Sequence, residues 1–206
     1  MRLTMHTFVT LDGVMQAPGG ADEDPTGAFE HGGWSFPYGD ADFGEAMTSW
    51  FAHADAFLLG RRTYEIFSAH WPAVTDPGNP IAVKLNALPK YVASTTLTSV
   101  DWANSSLLGA DLVAEVRRLR SEPGDELQVH GSGGLAQTLI QHDLVDEYRL
   151  LTFPVHLGSG MRLFRDGTQA SAMRLLGTQV TAAGVVIARY APDGAPRHGS
   201  FASQDG

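Results

Sequence analysis

Three short segments of the chain carry groups suited to holding a phosphorylated ligand. Residues 60–63 (Gly-Arg-Arg-Thr) supply two guanidinium groups and a hydroxyl, residues 94–96 (Ser-Thr-Thr) supply hydroxyls, and residues 131–134 (Gly-Ser-Gly-Gly) supply backbone N–H groups with little Cβ shielding. A helix that begins in such a glycine turn adds the positive end of its dipole. Together these segments predict a site for the phosphates of a dinucleotide. The alternative is that the turns only join strands to helices, with Arg61 and Arg62 paired to surface carboxylates.

Each of the three segments directly follows a short apolar run with the character of a strand. These runs cover residues 54–59, 90–93 and 127–130. In open α/β sheets, ligands bind beyond the carboxyl ends of the strands. We therefore expect the three segments to meet at one edge of a sheet.

The rest of the sequence alternates between strand and helix patterns, with one long connection. Further strands are predicted over residues 3–11, 145–153, 173–181 and 185–190, and helices over residues 43–51, 61–68, 80–87, 111–120 and 135–142. Residues 16–40 are rich in glycine, proline and acidic residues, which predicts a long loop on the substrate side. This order predicts one α/β domain with a mixed, mostly parallel sheet flanked by helices and a C-terminal antiparallel hairpin.

Composition limits the kinds of partner. The 206 residues carry a formal net charge of −9, which disfavours nucleic acid, and no cysteine, which excludes disulfides and thiolate metal sites. The eight histidines show no compact ligand spacing, so we predict no metal. With no long apolar run and no secretory signal, we expect a soluble cytoplasmic protein that does not associate with membranes. Residues 192–206 are predicted to be a disordered tail.

Three motifs in the expected order carry a resemblance to a known family. Residues 60–65, Gly-Arg-Arg-Thr-Tyr-Glu, resemble the G-R-x-T-[WY]-E segment of the dihydrofolate reductase superfamily. Residues 10–16 and 130–135 are more similar still to the branch that contains the reductase domain of bacterial riboflavin biosynthesis, the RibD C-terminal domain. The resemblance covers residues 1 to about 190 and implies a single domain over residues 1–191. It also implies a dihydrofolate reductase-like fold, NADPH as the hydride donor, and often a homodimer.

The resemblance also implies which residues contact the cofactor. Those that match the phosphate-binding and nicotinamide-covering segments are Val14, Gln16, Gly60, Arg61, Arg62, Thr63, Ser94, Thr95, Gly131, Ser132, Gly133, Gly134 and Leu135. Arg61 and Arg62 would hold the 2′-phosphate that distinguishes NADPH from NADH. Family members commonly have a cis peptide between glycines of the turn that corresponds to residues 131–134, where this chain has Ser132.

The proton donor departs from the family pattern. Folate reductases place an acid near the start of the helix that precedes the G-R-x-T strand, and Asp42 and Glu45 occupy that region here. Glu45 is the predicted candidate, although either residue is also suited to a solvated first turn of a helix. Asp12 is predicted to orient a polar substrate or to cap its turn. Because the cofactor itself carries out hydride transfer, a missing strong acid does not exclude reduction.

The predicted substrate is a small pterin-like or pyrimidine-like heterocycle. Aromatic and imidazole side chains of the long loop either line a pocket for a flat ring or pin the loop to the core; they are His31, Trp34, Phe36 and Tyr38.

Two other functions fit parts of the sequence. In a serine hydrolase, Ser132 would act as nucleophile on a sharp turn, with Asp146 and His156 as one available acid and base, but His130 stands where the G-x-S-x-G elbow requires glycine. In a non-catalytic protein, the same scaffold would bind NADPH without chemistry.

Overall fold

The computed structural model describes residues 1–200. Its eight strands are β1 (Arg2–Thr10), β2 (Ala54–Gly60), β3 (Lys90–Ala93), β4 (Ser105–Leu107), β5 (Glu126–His130), β6 (Glu147–Phe153), β7 (Met173–Val180) and β8 (Val186–Pro192). Its five α-helices are α1 (Ala41–Ala52), α2 (Arg61–His70), α3 (Pro80–Ala87), α4 (Leu112–Ser121) and α5 (Gly133–Gln141).

One sheet runs through the domain in the order β4-β3-β2-β5-β1-β6-β8-β7. The strands from β4 to β6 pair in parallel, whereas β8 is antiparallel to both β6 and β7. Between most of the parallel strands, a helical connection brings the chain back to the edge of the sheet at which these strands begin. Parallel pairing requires such a crossover connection. The predicted fold class and the C-terminal hairpin are thus confirmed. The three-residue strand β4 was not predicted, because Ser-Ser-Leu gives too short a pattern.

Two apolar clusters cover the two faces of the sheet. On one face, α1 and α3 pack around Phe57 and Phe153, and on the other, α4 and α5 pack around Leu3, Leu58 and Leu127. Alternate residues of β2 point to opposite faces, which is the period of a strand. Its pattern is almost wholly apolar because both faces are covered.

A group of buried charges lies near the amino ends of β1, β5 and β6. Glu126 is 0% exposed and Arg149 3% exposed, and the Arg149 guanidinium bonds both carboxylate oxygens of Glu126. Arg149 Nε also donates to Glu147 at 2.8 Å. The half-exposed Arg2 and Arg189 bond to these carboxylates from the rim. Charged residues within apolar strands were the sequence signal for this network, which we did not predict.

The pKa of Glu147 reflects the balance of forces in this network. Burial alone raises the pKa of its carboxyl group, but hydrogen bonds and charge from Arg189 and Arg149 outweigh burial and lower the pKa to about 2. Glu147 is therefore ionised at neutral pH, and the network holds its charges in pairs.

Gly160 gives a testable measure of how tightly the long loop packs. It has a φ of +114°, and a Cβ placed on it would lie 2.7 Å from both Val14 Cγ1 and Phe29 Cε2. Gly160→Ala should therefore lower the free energy of unfolding by about 2–4 kcal/mol, through left-handed strain and overpacking. Gly158→Ala is the control, because Gly158 has a φ of +77° and a Cβ placed on it would meet no heavy atom within 4 Å. Urea denaturation should show a loss of only about 1–2 kcal/mol for the control; equal losses would contradict the packing argument.

The C-terminal segment continues the hairpin for a short distance. β8 ends at Pro192, Asp193 N donates to Ala172 O, and Ala172 N donates to Gly194 O. The predicted disordered tail begins at residue 192, but Pro192 pairs with Met173 of β7, and Asp193 and Gly194 bond to Ala172, directly before β7. Residues 201–206 lie outside the described part of the chain. None of the helices within residues 1–200 has the length and apolar character needed to cross a bilayer.

Candidate functional site

The three predicted segments meet at the carboxyl edge of the sheet. β3, β2 and β5 are consecutive strands in the sheet, and Gly60 pairs with Ala93 directly before Ser94. Gly60 N donates to Ser132 Oγ at 3.0 Å, and Ser132 N donates to Thr63 Oγ1 at 3.1 Å. The turn after β2 and the turn after β5 are thus joined by two hydrogen bonds.

Ser132 has a structural role in this junction. It adopts left-handed backbone angles, φ 56° and ψ 48°, and its side chain is buried. Its hydroxyl donates to His130 O at 2.9 Å while accepting from Gly60 N. The peptide bonds of residues 1–200, including this turn, are all trans.

The two helices that begin at this edge start differently from the others. The first turns of α1, α3 and α4 are capped by the side chains of Asp40, Asn79 and Asp111. Gly60 precedes α2 and Ser132 precedes α5, and neither helix start has a side-chain cap. Since the first N–H groups of a helix have no partner within it, the starts of α2 and α5 can donate to an anion.

The two arginines of α2 have different partners. Arg61 Nη1 lies 3.3 Å from Glu65 Oε1, and both side chains are nearly half exposed. Arg62 Nη1 bonds to the Oδ2 atom of Asp24, a buried residue of the long loop. The pairing with surface carboxylates, which the sequence left open as an alternative, is therefore present at Arg61, whereas Arg62 pairs with a buried carboxylate.

Ser94 and Thr95 lie beside the α2 turn, as predicted from strand order. Ser94 Oγ accepts from Thr96 N at 3.1 Å and from Leu97 N at 2.9 Å, which fixes the turn after β3. Thr95 is exposed. The Ser94 hydroxyl is thus bonded within its own turn.

The segment after β1 is buried and tied to neighbouring loops. Asp12 accepts hydrogen bonds from the Thr10 hydroxyl and from Gly158 N at 2.8 Å. The Thr10 bond, above all, lowers the pKa of Asp12 to about 2, so its carboxylate is ionised at neutral pH. Val14 is fully buried, and the Gln16 side chain bonds to backbone atoms of the long loop.

The proposed acid on α1 lies apart from the phosphate-side turns. Glu45 is exposed and lies near Gln179 and Val180 of β7, while Asp42 accepts from Ala182 N at 2.9 Å. In the sheet, β1, β6 and β8 separate β7 from β5. The structure therefore does not bring Glu45 together with the glycine turn.

Most aromatic residues of the long loop pin it to the core. Trp34 is buried, donates from Nε1 to Gln16 O at 2.7 Å and packs edge-on against Phe153. Tyr38 also contacts the Phe153 ring. His31 packs edge-on against Phe29 within the loop, and Phe36 is 84% exposed.

The hydrolase alternative is not assembled in the structure. Asp146 accepts from Leu3 N and pairs with Arg120, at the amino edge of the sheet, whereas Ser132 follows the carboxyl end of β5. His156 is exposed in the loop after β6. These positions leave Ser132 without the acid that the hydrolase hypothesis assigned to it.

Two buried histidines lie directly below the glycine turn, and the sequence analysis did not identify them as a pair. His6 of β1 and His130 of β5 have ring centroids 4.5 Å apart, and His130 stacks on Phe51 of α1. Burial, followed by the charge of Arg149, lowers the pKa of His130 to about 3, and burial also lowers that of His6. Both rings are therefore neutral at physiological pH. His6 and His130 are register partners in β1 and β5. A histidine within each of two largely apolar strands was the signal that could have found them.

The sheet order and the strand-end turns define the class of the protein, a dihydrofolate reductase-like α/β domain. More narrowly, the chain belongs to the RibD C-terminal domain family, whose model matches residues 2–187. The predicted resemblance is thus confirmed over nearly the whole chain.

Similar proteins are found among both sequences and structures. "Uncharacterized protein YyaP" of Bacillus subtilis is 28% identical over 191 residues, covering 92% of this chain and 94% of the relative. "Uncharacterized protein YwjB" of the same organism is 28% identical over 178 residues, covering 86% and 91%.

Two solved structures share the fold. A "Putative riboflavin biosynthesis protein" of Shewanella sp. PV-4 has a TM-score of 0.67 at 21% identity, covering 94% of this chain and 99% of that one. A "pyrimidine reductase-like protein" of Corynebacterium diphtheriae has a TM-score of 0.61 at 12% identity, covering 93% and 92%.

Proposed function

We propose that the protein is an NADPH-dependent reductase of a small heterocycle. The observation that carries this proposal is the convergence of two uncapped helix starts and Arg61 at one sheet edge, in a chain of the RibD C-terminal domain family. Backbone N–H groups and a guanidinium group are suited to binding several phosphate groups at once. A fold alone does not define an activity, so the proposal rests on this donor set.

The residues at the edge fit the cofactor in two respects. A Cβ placed on Gly134 would meet no heavy atom within 4 Å, so the start of α5 is open to a pyrophosphate. Within residues 1–200, the carboxylate bonded to Arg61 is that of the exposed Glu65, which a more highly charged phosphate can displace. We assign the pyrophosphate to the turn of Gly131, Ser132, Gly133, Gly134 and Leu135, and the 2′-phosphate to the turn of Gly60, Arg61 and Thr63, with Ser94 and Thr95 beside it.

The cofactor would supply the hydride, and the protein would supply orientation. Asp12 is ionised and its oxygens already accept from three groups, so we propose that it positions the loop beside the substrate. Glu45 lies near β7, apart from the phosphate-side turns. The assignment of Asp12 and Glu45 as catalytic residues remains a prediction.

We propose the substrate class from the family and from the names of two structural relatives. A riboflavin biosynthesis protein and a pyrimidine reductase-like protein are among the structural relatives, which supports a pyrimidine-like or pterin-like ring. We also propose that the protein acts in the cytoplasm as a homodimer, without nucleic-acid or membrane partners.

The function can be tested by following NADPH absorbance at 340 nm with a panel of pterins, aminopyrimidines and flavins. We expect oxidation of NADPH with at least one pyrimidine or pterin and slower oxidation of NADH. Tight NADPH binding with no turnover across the panel would favour the non-catalytic alternative. Covalent labelling of Ser132 by a fluorophosphonate, with no NADPH binding, would favour the hydrolase.

Arg61→Ala tests the assignment of the 2′-phosphate. A charge-assisted bond to phosphate contributes about 1.5–3 kcal/mol, so the variant should bind NADPH roughly 10- to 150-fold more weakly. NADH affinity should change by less than about threefold, because NADH lacks the phosphate. Fluorescence titration measures both constants. Arg117→Ala, an exposed arginine on α4, is the matched control; equal losses for NADPH and NADH in Arg61→Ala would contradict the assignment.

A further inference from the structure

The first part of the long loop forms a strap across the carboxyl end of β5. Residues 16–26, here called the strap, leave β1 and reach α2, which begins at the end of β2. In the sheet, β5 lies between β1 and β2. The two ends of the strap therefore lie on either side of the carboxyl end of β5, where the glycine turn begins.

One ion pair ties the strap to α2. Asp24 is 6% exposed, and its carboxylate bonds to Arg62 Nη1 and accepts from Thr26 N at 3.1 Å. Burial alone raises the pKa of Asp24, but the hydrogen bonds from Thr26 and Arg62 outweigh it and lower the pKa. Asp24 is therefore a buried carboxylate whose charge is met by one arginine.

The side chain of Gln16, the first residue of the strap, bonds to the far end of the strap and to Met161. Gln16 Nε2 donates to Asp24 O at 3.0 Å and to Thr26 O at 2.9 Å, and Gln16 Oε1 accepts from Met161 N at 2.9 Å. Next to it, Met15 and Met161 lie against Gly133: a Cβ placed on Gly133 would be 3.4 Å from Met15 Sδ and 2.5 Å from Met161 Sδ. Met15, directly before the strap, and Met161, which Gln16 binds, thus lie beside the turn that we assign to the pyrophosphate.

We propose that Asp24 and Arg62 form a clasp that holds the strap over the bound dinucleotide, so that the clasp must open for the dinucleotide to enter and leave. This role rests on the proposed function for its ligand, although the clasp itself is independent of it. Arg62 is then a positioning residue, and Arg61 alone reads the 2′-phosphate. The two adjacent arginines thus have different roles, because Arg62 pairs with the buried carboxylate of Asp24 and Arg61 pairs with the exposed carboxylate of Glu65.

Limited proteolysis tests the clasp without any ligand. Thermolysin cleaves before large apolar residues, and Phe29, just beyond the strap, is buried in the closed loop. Asp24→Asn and Arg62→Gln each remove the ion pair and should raise the rate of cleavage at Phe29 about tenfold, because local opening becomes more frequent. The double variant should be cleaved no faster than either single variant, because both changes remove the same interaction.

Glu65→Gln is the matched control, since it removes the neighbouring ion pair of Arg61 and should leave the cleavage rate at Phe29 unchanged. An unchanged rate in Asp24→Asn, or effects of the two single variants that multiply in the double variant, would overturn the clasp.

A second measurement tests the link to the ligand. Stopped-flow fluorescence should show NADPH dissociating at least about fivefold faster from Asp24→Asn than from the wild type. Faster cleavage with an unchanged dissociation rate would overturn the strap's role over the nucleotide. Failure of the wild type to bind NADPH would instead overturn the proposed function, and the cleavage rates would still decide whether the clasp exists.

Discussion

Glu126→Ala should lower the free energy of unfolding by about 3–5 kcal/mol, because it leaves a buried arginine without its main partner. Arg149 makes two bonds to Glu126 and is 3% exposed, so water cannot replace the lost carboxylate. The variant also removes acceptors from Thr4 and Gln128, two further buried side chains. Leaving such groups unsatisfied adds to the cost.

Equilibrium urea denaturation, followed by circular dichroism, measures this loss. The matched control is Glu115→Ala, which removes an exposed pair with Arg118 on α4 and should change stability by less than about 1 kcal/mol. A loss below about 1 kcal/mol for Glu126→Ala would show that the network contributes little. Glu126→Gln, which keeps the side chain's size, separates the loss of charge from the loss of packing.

Gly134→Asp should weaken NADPH binding by roughly 100-fold or more while leaving the fold intact. Two like charges about 4 Å apart near a protein surface repel by about 4 kcal/mol, and the new carboxylate would stand where we place the pyrophosphate. The backbone has room for the side chain, because no heavy atom lies within 4 Å of a Cβ at this position. An acidic residue near a helix start also stabilises the helix by about 0.3–1 kcal/mol.

The variant should thus melt no lower than the wild type and yet lose the nucleotide. Gly134→Asn is the control, since it adds the same bulk without the charge and should weaken binding by less than about tenfold. Thermal shifts with and without NADPH report stability and binding in one experiment. Binding of NADPH to Gly134→Asp with wild-type affinity would place the pyrophosphate elsewhere.

Much of the fold could be predicted because its elements carry strong local patterns. The apolar runs of β2 and β5 end at glycines, and each glycine marks the start of a helix. The order of these elements then predicts a parallel sheet, and adjacent strand ends follow from it. β4 escaped prediction because three residues carry no periodicity that local patterns can detect.

The meeting of the turns at one edge of the sheet could be predicted from the sequence, whereas the ion-pair partners of the arginines could not. Residues 60–63 and 131–134 were identified from their types, and the structure joins them through Ser132 and Thr63. The pairing of Arg62 with Asp24 spans 38 residues of chain, and no local rule selects Asp24 among the acids of the loop. The same limit applies to Arg149 and Glu126, whose contact depends on strand register.

For Glu45, the family motif predicted a place in the sequence but not the side of the helix on which the residue lies. Its place early in α1 agrees with the acid of folate reductases, but the direction in which a helix presents a residue depends on its packing. In this fold the buried face of α1 is formed by Ala46, Met47, Trp50 and Phe51, which leaves Glu45 on the exposed side. The sequence periodicity of those residues already implied this orientation.

A crystal structure of the wild-type protein with NADPH tests the central claim most directly. We predict the pyrophosphate oxygens at about 2.7–3.2 Å from backbone N–H groups at the start of α5, and the 2′-phosphate against the Arg61 guanidinium. The strap should lie over the nucleotide, with Asp24 and Arg62 still in contact. NADPH bound elsewhere on the molecule, with the turns after β2 and β5 free of it, would contradict the account.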